Sequence, residues 1–185
     1  MPSKNTLNNP FALACPVIGF VAFSGTGKTT LLKQIIAKLK ARGFRLGIIK
    51  HAHHNFDIDT PGKDSYELRH SGAEQTLVAS RYRWALVNEN TQDETEPVLE
   101  TLLSQLNTDE LDLILVEGFK HSEYSKIELH RPSMGKPLLY PQDENIIAIA
   151  TDQALPEKPG IKKLDLNQPE EIVDFITELQ KQADH

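Results

Sequence analysis

The sequence predicts an α/β protein of three layers, in which helices cover both faces of a mostly parallel central sheet. Short apolar runs alternate with segments of helical periodicity along the chain, and the runs are apolar on both faces, as buried parallel strands are. The 185 residues are enough for one domain with a proper core. We expect residues 1–15 to form a flexible tail and residues 16–185 to form a single domain.

The first fifty residues predict a strand–loop–helix–strand unit. Residues 16–22 are β-branched and apolar, and leucine and isoleucine then recur at helical spacing over residues 29–42. Gly43 suits the end of this helix, because glycine readily adopts the left-handed conformation found after helix C-termini. Residues 46–50 form a second strand, which completes a βαβ unit with a right-handed crossover.

The rest of the chain continues this alternation. Helices are predicted over residues 63–71 and 98–106, and a last helix has Pro169 in its first turn. The proline-rich segment of residues 131–143 is predicted to be a loop. Further strands are predicted at residues 74–80, 84–88, 111–117, 126–130 and 146–150.

Composition and charge argue against several classes of function. The net charge of −6 and the lack of a basic tract disfavour a nucleic-acid surface, since phosphate backbones require clustered cations. The single cysteine, Cys15, rules out an internal disulfide framework and fits a reducing compartment. No apolar run has the length of a membrane span, and residues 1–10 lack the apolar core of a signal peptide. We therefore expect a cytoplasmic protein with neither nucleic acid nor membrane as a partner.

A glycine-rich turn separates the first strand from the first helix. Gly25 and Gly27 have no Cβ, so the backbone can curl and point successive N–H groups at an anion. Lys28 supplies a charge for the β- and γ-phosphates, and the Thr29 hydroxyl suits Mg²⁺. This is a Walker A phosphate loop in which Ala22 replaces the first glycine, and it predicts a P-loop NTPase fold. The predicted nucleotide-binding residues of the loop are Ser24, Gly25, Thr26, Gly27, Lys28, Thr29 and Thr30.

Two acids are candidates for the chemistry of hydrolysis. Glu117 ends an apolar run, and in phosphate-loop proteins such an acid lies beside the loop and orients Mg²⁺ or a water near it. Asp59 lies on the polar loop after the second strand, from which a mobile segment could reach the γ-phosphate; an ordinary turn acid is an equal alternative. We expect Glu117 and Asp59 to be catalytic and to join Thr29 as ligands of Mg²⁺.

Three further residues are candidates for nucleotide binding. Lys50 and His51 stand at the end of the second strand, at the edge where open α/β sheets bind ligands. His53 and His54 follow, but no cysteine or carboxylate stands at ligand spacing. For His51, His53 and His54, lining the crevice or hydrogen bonding to its backbone is therefore favoured over a metal site. Asp152 follows a late strand and could accept hydrogen bonds from guanine, or could simply belong to a turn.

Several segments together resemble one known family. The motifs Lys-His-Ala-His-His and Pro-Gly-Lys-Asp-Ser are far more specific than the phosphate loop. With them, the chain resembles the molybdopterin-guanine dinucleotide biosynthesis protein B family, MobB, over roughly residues 16–180. The segments that carry the resemblance are residues 23–30, 49–54, 57–59, 61–66, 71–73 and 113–120.

The resemblance implies a homodimeric GTP-binding protein with weak GTPase activity, whose cofactors are GTP and Mg²⁺. It implies an accessory or adaptor role in molybdenum cofactor biosynthesis, beside the guanylyltransferase that joins GMP to molybdopterin and alongside other molybdenum cofactor proteins. Molybdopterin itself is a further ligand that the resemblance allows. The resemblance also implies that adjacent strands carry the phosphate loop and the acid.

The residues alone leave two other functions open. A small-molecule kinase or an ATP-dependent ligase uses the same loop; residues 131–143 would then be a lid, and Lys63 or Arg69 would stabilise transfer. An interaction protein in which the nucleotide is only structural is the other alternative.

Overall fold

The computed structural model describes residues 7–11, 13–52, 56–90, 96–155 and 161–183, so His53 and His54 lie outside the described residues. The chain divides into two compact units. The sheet unit comprises Met1–His51 and Val98–His185, and the hairpin unit comprises Ala52–Pro97. A single domain over residues 16–185 therefore stays a prediction.

The described residues contain eight strands. They are β1 Val17–Val21, β2 Leu46–Lys50, β3 Gln75–Ala79, β4 Trp84–Asn88, β5 Leu113–Glu117, β6 Lys126–His130, β7 Ile146–Thr151 and β8 Lys162–Asp165. In the sheet unit, six of them form one sheet in the order β2-β5-β1-β6-β7-β8, with every neighbouring pair parallel. This confirms the predicted α/β class.

Four α-helices accompany the strands within the described part of the chain. They are α1 Lys28–Ala41, α2 Asp64–His70, α3 Leu99–Leu103 and α4 Pro169–Ala183. The predicted helix over residues 98–106 is real but shorter, since α3 covers only its middle. None of the helices in the described ranges is long and apolar enough to cross a membrane.

Alternate residues of each central strand face opposite layers of the sheet unit. Ile18 and Phe20 of β1 join the cluster that contains the apolar stripes of α1 and α4. Val17, by contrast, joins Leu99 and Leu103 of α3 in a second cluster. Because side chains alternate along a buried strand, helices can pack against both faces of the sheet, which gives the predicted three layers.

Part of the segment predicted as a flexible tail is packed against the sheet unit. Cys15 is buried, the rings of Phe11 and Tyr124 lie 5.9 Å apart, and the backbone N–H of Asn8 donates to Ser125 Oγ at 2.7 Å. Asn8, Phe11 and Cys15 thus contact the rest of the sheet unit. The flexible tail expected over residues 1–15 stays a prediction.

The hairpin unit contains α2 and the antiparallel pair β3–β4. Both strands were predicted, but they pair only with each other and do not extend the central sheet. Conversely, β8 was not predicted. It is an edge strand in which only Leu164 is buried, so it has no apolar run to mark it.

A close approach at Gly19 provides a test of this packing. A Cβ there would lie 2.6 Å from Tyr124 Oη and 2.7 Å from Lys126 Cγ, and both neighbours are buried. We predict that Gly19→Ala lowers the free energy of unfolding by about 1–3 kcal/mol, as overpacking of a core does. Denaturant titration of both proteins measures the difference, and an unchanged midpoint would show that the strand has room for a side chain.

Candidate functional site

The phosphate loop leaves the centre of the sheet. It follows β1, whose neighbours are β5 and β6, and it leads directly into α1. Glu117, the last residue of β5, is in register with Phe20 of β1 on one side and with Lys50 of β2 on the other. Adjacent strands therefore carry the loop and the acid, as the resemblance implied.

Two glycines shape the loop. Gly25 has a φ of 85° and Gly27 a φ of 92°, both in the left-handed region that side chains with a Cβ disfavour. Gly27 is also the N-cap residue of α1, and no side chain caps this end. The first N–H groups of α1 are therefore left for a ligand, at the positive end of the helix dipole. Thr29 and Thr30, in this first turn, are exposed.

Thr26 has a different role from that of its neighbours. Its hydroxyl donates to the carbonyl oxygen of Phe23 at 2.7 Å, and its N–H donates to the same oxygen at 3.4 Å. The side chain is buried, whereas Ser24 is exposed. Thr26 was predicted to bind the nucleotide, but its hydroxyl closes the turn from inside.

The charges at the site are gathered around Glu117. Lys28 Nζ lies 3.6 Å from Glu117 Oε1, and Lys50 Nζ lies 3.9 Å from Glu117 Oε2. The sheet thus brings three of the predicted residues together. A bound polyphosphate could replace Glu117 as the partner of the two lysines, because ammonium groups bind phosphate oxygens. A divalent cation could replace the lysines as the partner of Glu117, because carboxylates bind Mg²⁺.

His51 contacts the strand that carries this acid. Its N–H donates to the carbonyl oxygen of Glu117 at 2.8 Å, and its ring stacks on Phe119 with centroids 4.9 Å apart. Gly118 has a φ of 102°, and a Cβ on it would lie 2.7 Å from His51 Cβ. These contacts hold the chain just after Glu117, so His51 positions this segment, and its predicted contact with the nucleotide stays a prediction.

Arg131 was missed by the sequence analysis. Its Nε donates to the carbonyl oxygen of Thr26 at 3.0 Å, and its Nη1 forms an ion pair with Asp152 Oδ2. The pair connects the ends of β6 and β7 to the phosphate loop. The sequence does contain one sign of this role: Arg131 directly follows a predicted strand, and in a parallel sheet the strand ends form the edge where ligands bind.

Asp152 pairs with Arg131 beside the phosphate loop, so one of its oxygens is already engaged. The other oxygen, Oδ1, is buried and has no hydrogen-bond partner among the described residues. The carboxylate therefore serves first as the counter-ion of the guanidinium that supports the loop. A contact with guanine stays a prediction.

A cleft of about 410 Å³ opens beside the phosphate loop. Its size is within the usual range for small-ligand sites. Gln34 and Asn167 contribute amide groups, and the sequence analysis singled out neither as a ligand contact. The lining residues are Gly25, Thr26, Gly27, Thr30, Leu31, Gln34, Arg131, Leu166, Asn167 and Pro169.

The residues present fit a metal that arrives with a nucleotide. Within the described ranges, no group of three or more histidine, cysteine or acidic side chains is assembled as a metal cage. Mg²⁺ in nucleotide sites uses only one or two protein ligands together with phosphate oxygens and waters. Thr29 and Glu117 supply the oxygen atoms that such an ion takes.

Asp59 belongs to the hairpin unit, where it forms an ion pair with Arg69. Arg69 Nη2 donates to Asp59 Oδ1 at 2.9 Å, and this hydrogen bond holds the pKa of the Asp59 carboxyl below its ordinary value. The pairing satisfies the carboxylate within its own unit. The predicted role of Asp59 at Mg²⁺ stays a prediction.

Comparisons with known proteins agree with this fold. The family model "MobB: Molybdopterin guanine dinucleotide synthesis protein B" matches residues 17–152. The chain is similar to the molybdopterin-guanine dinucleotide biosynthesis adapter protein of Escherichia coli K12, with 53% identity over 169 residues, 90% of this chain and 95% of the relative. The protein of the same name from Haemophilus influenzae is 42% identical over 163 residues, 87% of each chain.

A solved structure is similar over most of its length as well. The crystal structure of Bacillus subtilis MobB matches with a TM-score of 0.67 and 27% identity, covering 89% of this chain and 97% of that one. The family model alone spans well over half of the chain. The chain therefore belongs to the MobB family.

Proposed function

We propose that this protein binds GTP with Mg²⁺, hydrolyses it slowly, and acts as an adaptor in the biosynthesis of molybdopterin guanine dinucleotide. One observation carries the proposal: a glycine turn and an uncapped helix N-terminus lie beside Lys28 and Glu117, which meet across adjacent strands. The names of the relatives support the pathway, since both curated proteins are adapter proteins of this biosynthesis.

Each group at the site has a role in this proposal. The N–H groups of residues 24, 25 and 27–30 surround the phosphates, and Lys28 neutralises the β- and γ-phosphates. Thr29 and Glu117 hold Mg²⁺, and Glu117 orients the attacking water. When bound, the ion neutralises charge that develops on the γ-phosphate.

The cleft beside the loop is the proposed place of the guanosine part. Thr30 and Gln34 of α1 form one wall, and Asn167 belongs to the other. Amide side chains provide both donors and acceptors, which a guanine edge requires. Asp152 stays a second candidate for reading the base through its unpartnered oxygen.

We also propose a cytoplasmic homodimer that uses the outer face of the hairpin. Leu77 pairs with Leu86 across β3 and β4, and their exposed fractions are 61% and 42%. Trp84, on the same face, is 67% exposed. A contiguous apolar face of this kind marks a protein interface, and the resemblance names a second copy as the partner.

The alternatives are less well supported. A small-molecule kinase or an ATP-dependent ligase receives no support from the comparisons. An interaction protein with a structural nucleotide differs in one observable property. Its affinity for the guanylyltransferase would be identical with GTP, with GDP and without nucleotide, whereas the proposed adaptor responds to the nucleotide.

Lys28→Ala tests the phosphate cradle. We predict that this change weakens GTP binding about 10- to 150-fold, because a charged hydrogen bond of about 1.5–3 kcal/mol is lost. Isothermal titration calorimetry in the presence of Mg²⁺ measures the affinity. Lys33→Ala, an exposed lysine one turn further along α1, is the matched control and should bind like the unchanged protein. Equal affinity for Lys28→Ala would reject the cradle.

Glu117→Gln separates chemistry from binding. We predict a loss of GTP hydrolysis of at least about tenfold with a much smaller loss of GTP affinity, because the amide keeps the shape but not the charge that orients Mg²⁺ and water. Single-turnover hydrolysis and calorimetry provide the two numbers. Asp59→Asn in the same assays decides whether that acid also acts at Mg²⁺, and Glu100→Gln, at an exposed position of α3, is the control. An equal loss of both quantities in Glu117→Gln would contradict the assigned role.

Leu77→Asp tests the proposed dimer. A charge in the apolar face cannot be buried without a partner, so the variant should sediment as a monomer at concentrations where the unchanged protein is a dimer. Sedimentation velocity measures the mass. Val98→Asp, which alters an exposed apolar residue of the sheet unit, should remain dimeric. If Leu77→Asp also remains dimeric, the interface lies elsewhere.

A further inference from the structure

The hairpin unit contains a cavity of its own, with a volume of about 210 Å³. Its walls are the inner face of β3 and β4 together with residues of α2 and the segment before it. Most of the exposed surface inside it is apolar. It shares no lining residue with the 410 Å³ cleft beside the phosphate loop.

The register of the hairpin separates this cavity from the proposed dimer face. Thr76 pairs with Val87 and Val78 pairs with Ala85, and all four residues line the cavity. Leu77, between Thr76 and Val78, points to the opposite side because side chains alternate along a strand. The same two strands can therefore bind a second copy on one face and a small molecule on the other.

Arg69 forms the polar end of the cavity. The side chain is only 8% exposed, and it donates to Glu89 at 2.7 Å, to Asp57 at 2.6 Å and to Asp59 at 2.9 Å. These three carboxylates raise the pKa of the guanidinium and fix its plane. Arg69 is thus a rigid group whose orientation is set before any ligand arrives.

Two buried polar atoms in this cavity lack a partner. Neither Arg69 Nε nor Thr76 Oγ1 has a hydrogen-bond partner among the described residues. Both residues line the cavity. Buried donors and acceptors are rarely left unpaired in proteins, so a ligand that satisfies both would bind at this end.

The local charge selects the kind of ligand. Arg69 pairs with the three carboxylates of Asp57, Asp59 and Glu89, so its charge is already more than balanced at this end of the cavity, and an anion would be disfavoured. The fit is better for a neutral, flat ring. Its carbonyl oxygen would accept from Arg69 Nε, and its ring N–H and amino groups would donate to Asp59 and Thr76.

We propose that this cavity binds the 2-amino-4-oxopyrimidine edge of a pterin. The apolar walls from Val78, Ala85 and Val87 would enclose the flat faces of the ring. Guanine carries the same edge, and the choice of a pterin over guanine rests on the proposed function, in which molybdopterin is the second substrate of the pathway. The cavity and its unpartnered atoms are independent of that choice.

Trp84 makes the binding measurable. It is the one tryptophan of the chain and the residue before Ala85 on β4. A pterin absorbs where tryptophan emits, so a ring bound on the inner face should quench the emission by energy transfer. The probes are 6-hydroxymethylpterin, titrated into the full-length protein, and guanosine, which does not absorb at these wavelengths and is titrated as a competitor of the bound pterin. The expected result is saturable quenching by the pterin that guanosine reverses only at a higher concentration.

Two variants locate the site. Thr76→Val keeps the shape and removes the hydroxyl, and it should raise the Kd of the pterin about 5- to 10-fold, the value of one hydrogen bond. Ala85→Leu fills the cavity and should abolish the quenching. Thr101→Val, at an exposed position on α3, is the matched control and should leave the Kd unchanged. If Ala85→Leu does not fold, the nearly isosteric Thr76→Val decides alone.

Three outcomes would overturn the proposal: no saturable quenching by the pterin, a Kd that neither variant changes, or tighter binding of guanosine than of the pterin at the same variant-sensitive site. GTP affinity measured by calorimetry on the same samples separates the two proposals. Normal GTP binding without pterin binding rejects only the pterin site. Pterin binding that is sensitive to Thr76→Val, in a protein that does not bind GTP, rejects only the proposed nucleotide function.

Discussion

The site depends on one constraint: the strand that ends in the glycine turn lies directly beside the strand that ends in Glu117. Because β1 and β5 are parallel and in register, their carboxyl ends meet at one edge, and Lys28 comes to 3.6 Å from the acid. The left-handed glycines then turn the chain so that the N–H groups of α1 face the same space. If either the register or the turn were different, the cation, the acid and the free amides would no longer meet.

The surroundings of the loop reinforce this arrangement by contacts that are distant in sequence. Arg131 spans from Asp152 to the carbonyl oxygen of Thr26, and so links two other parallel strands to the loop. His51 and Gly118 fix the chain on the far side of Glu117. Residues at the carboxyl edge of the sheet thus position the phosphate loop and the chain after Glu117.

The sequence predicted the features that are local or periodic. The strand, turn and helix at residues 17–41 are contiguous, and Glu117 follows an apolar run that marks a buried strand, so both could be recognised without a structure. The pairing of Arg131 with Asp152 joins residues 21 positions apart through the sheet order, which no periodicity encodes. The edge strand β8, with one buried residue, has too weak a pattern. The separate hairpin was missed because strand propensity does not specify the partner of a strand.

The central claim is that the amides of the glycine turn, with Lys28, surround a polyphosphate whose metal is held at Glu117. A crystal structure with a non-hydrolysable GTP analogue and Mg²⁺ tests it most directly. The account predicts that the phosphates lie inside the turn with Lys28 Nζ on them, that Glu117 has moved from the lysine to the metal or one of its waters, and that the base lies in the 410 Å³ cleft. An empty turn, or a turn whose amides face away from a nucleotide bound elsewhere, would contradict it.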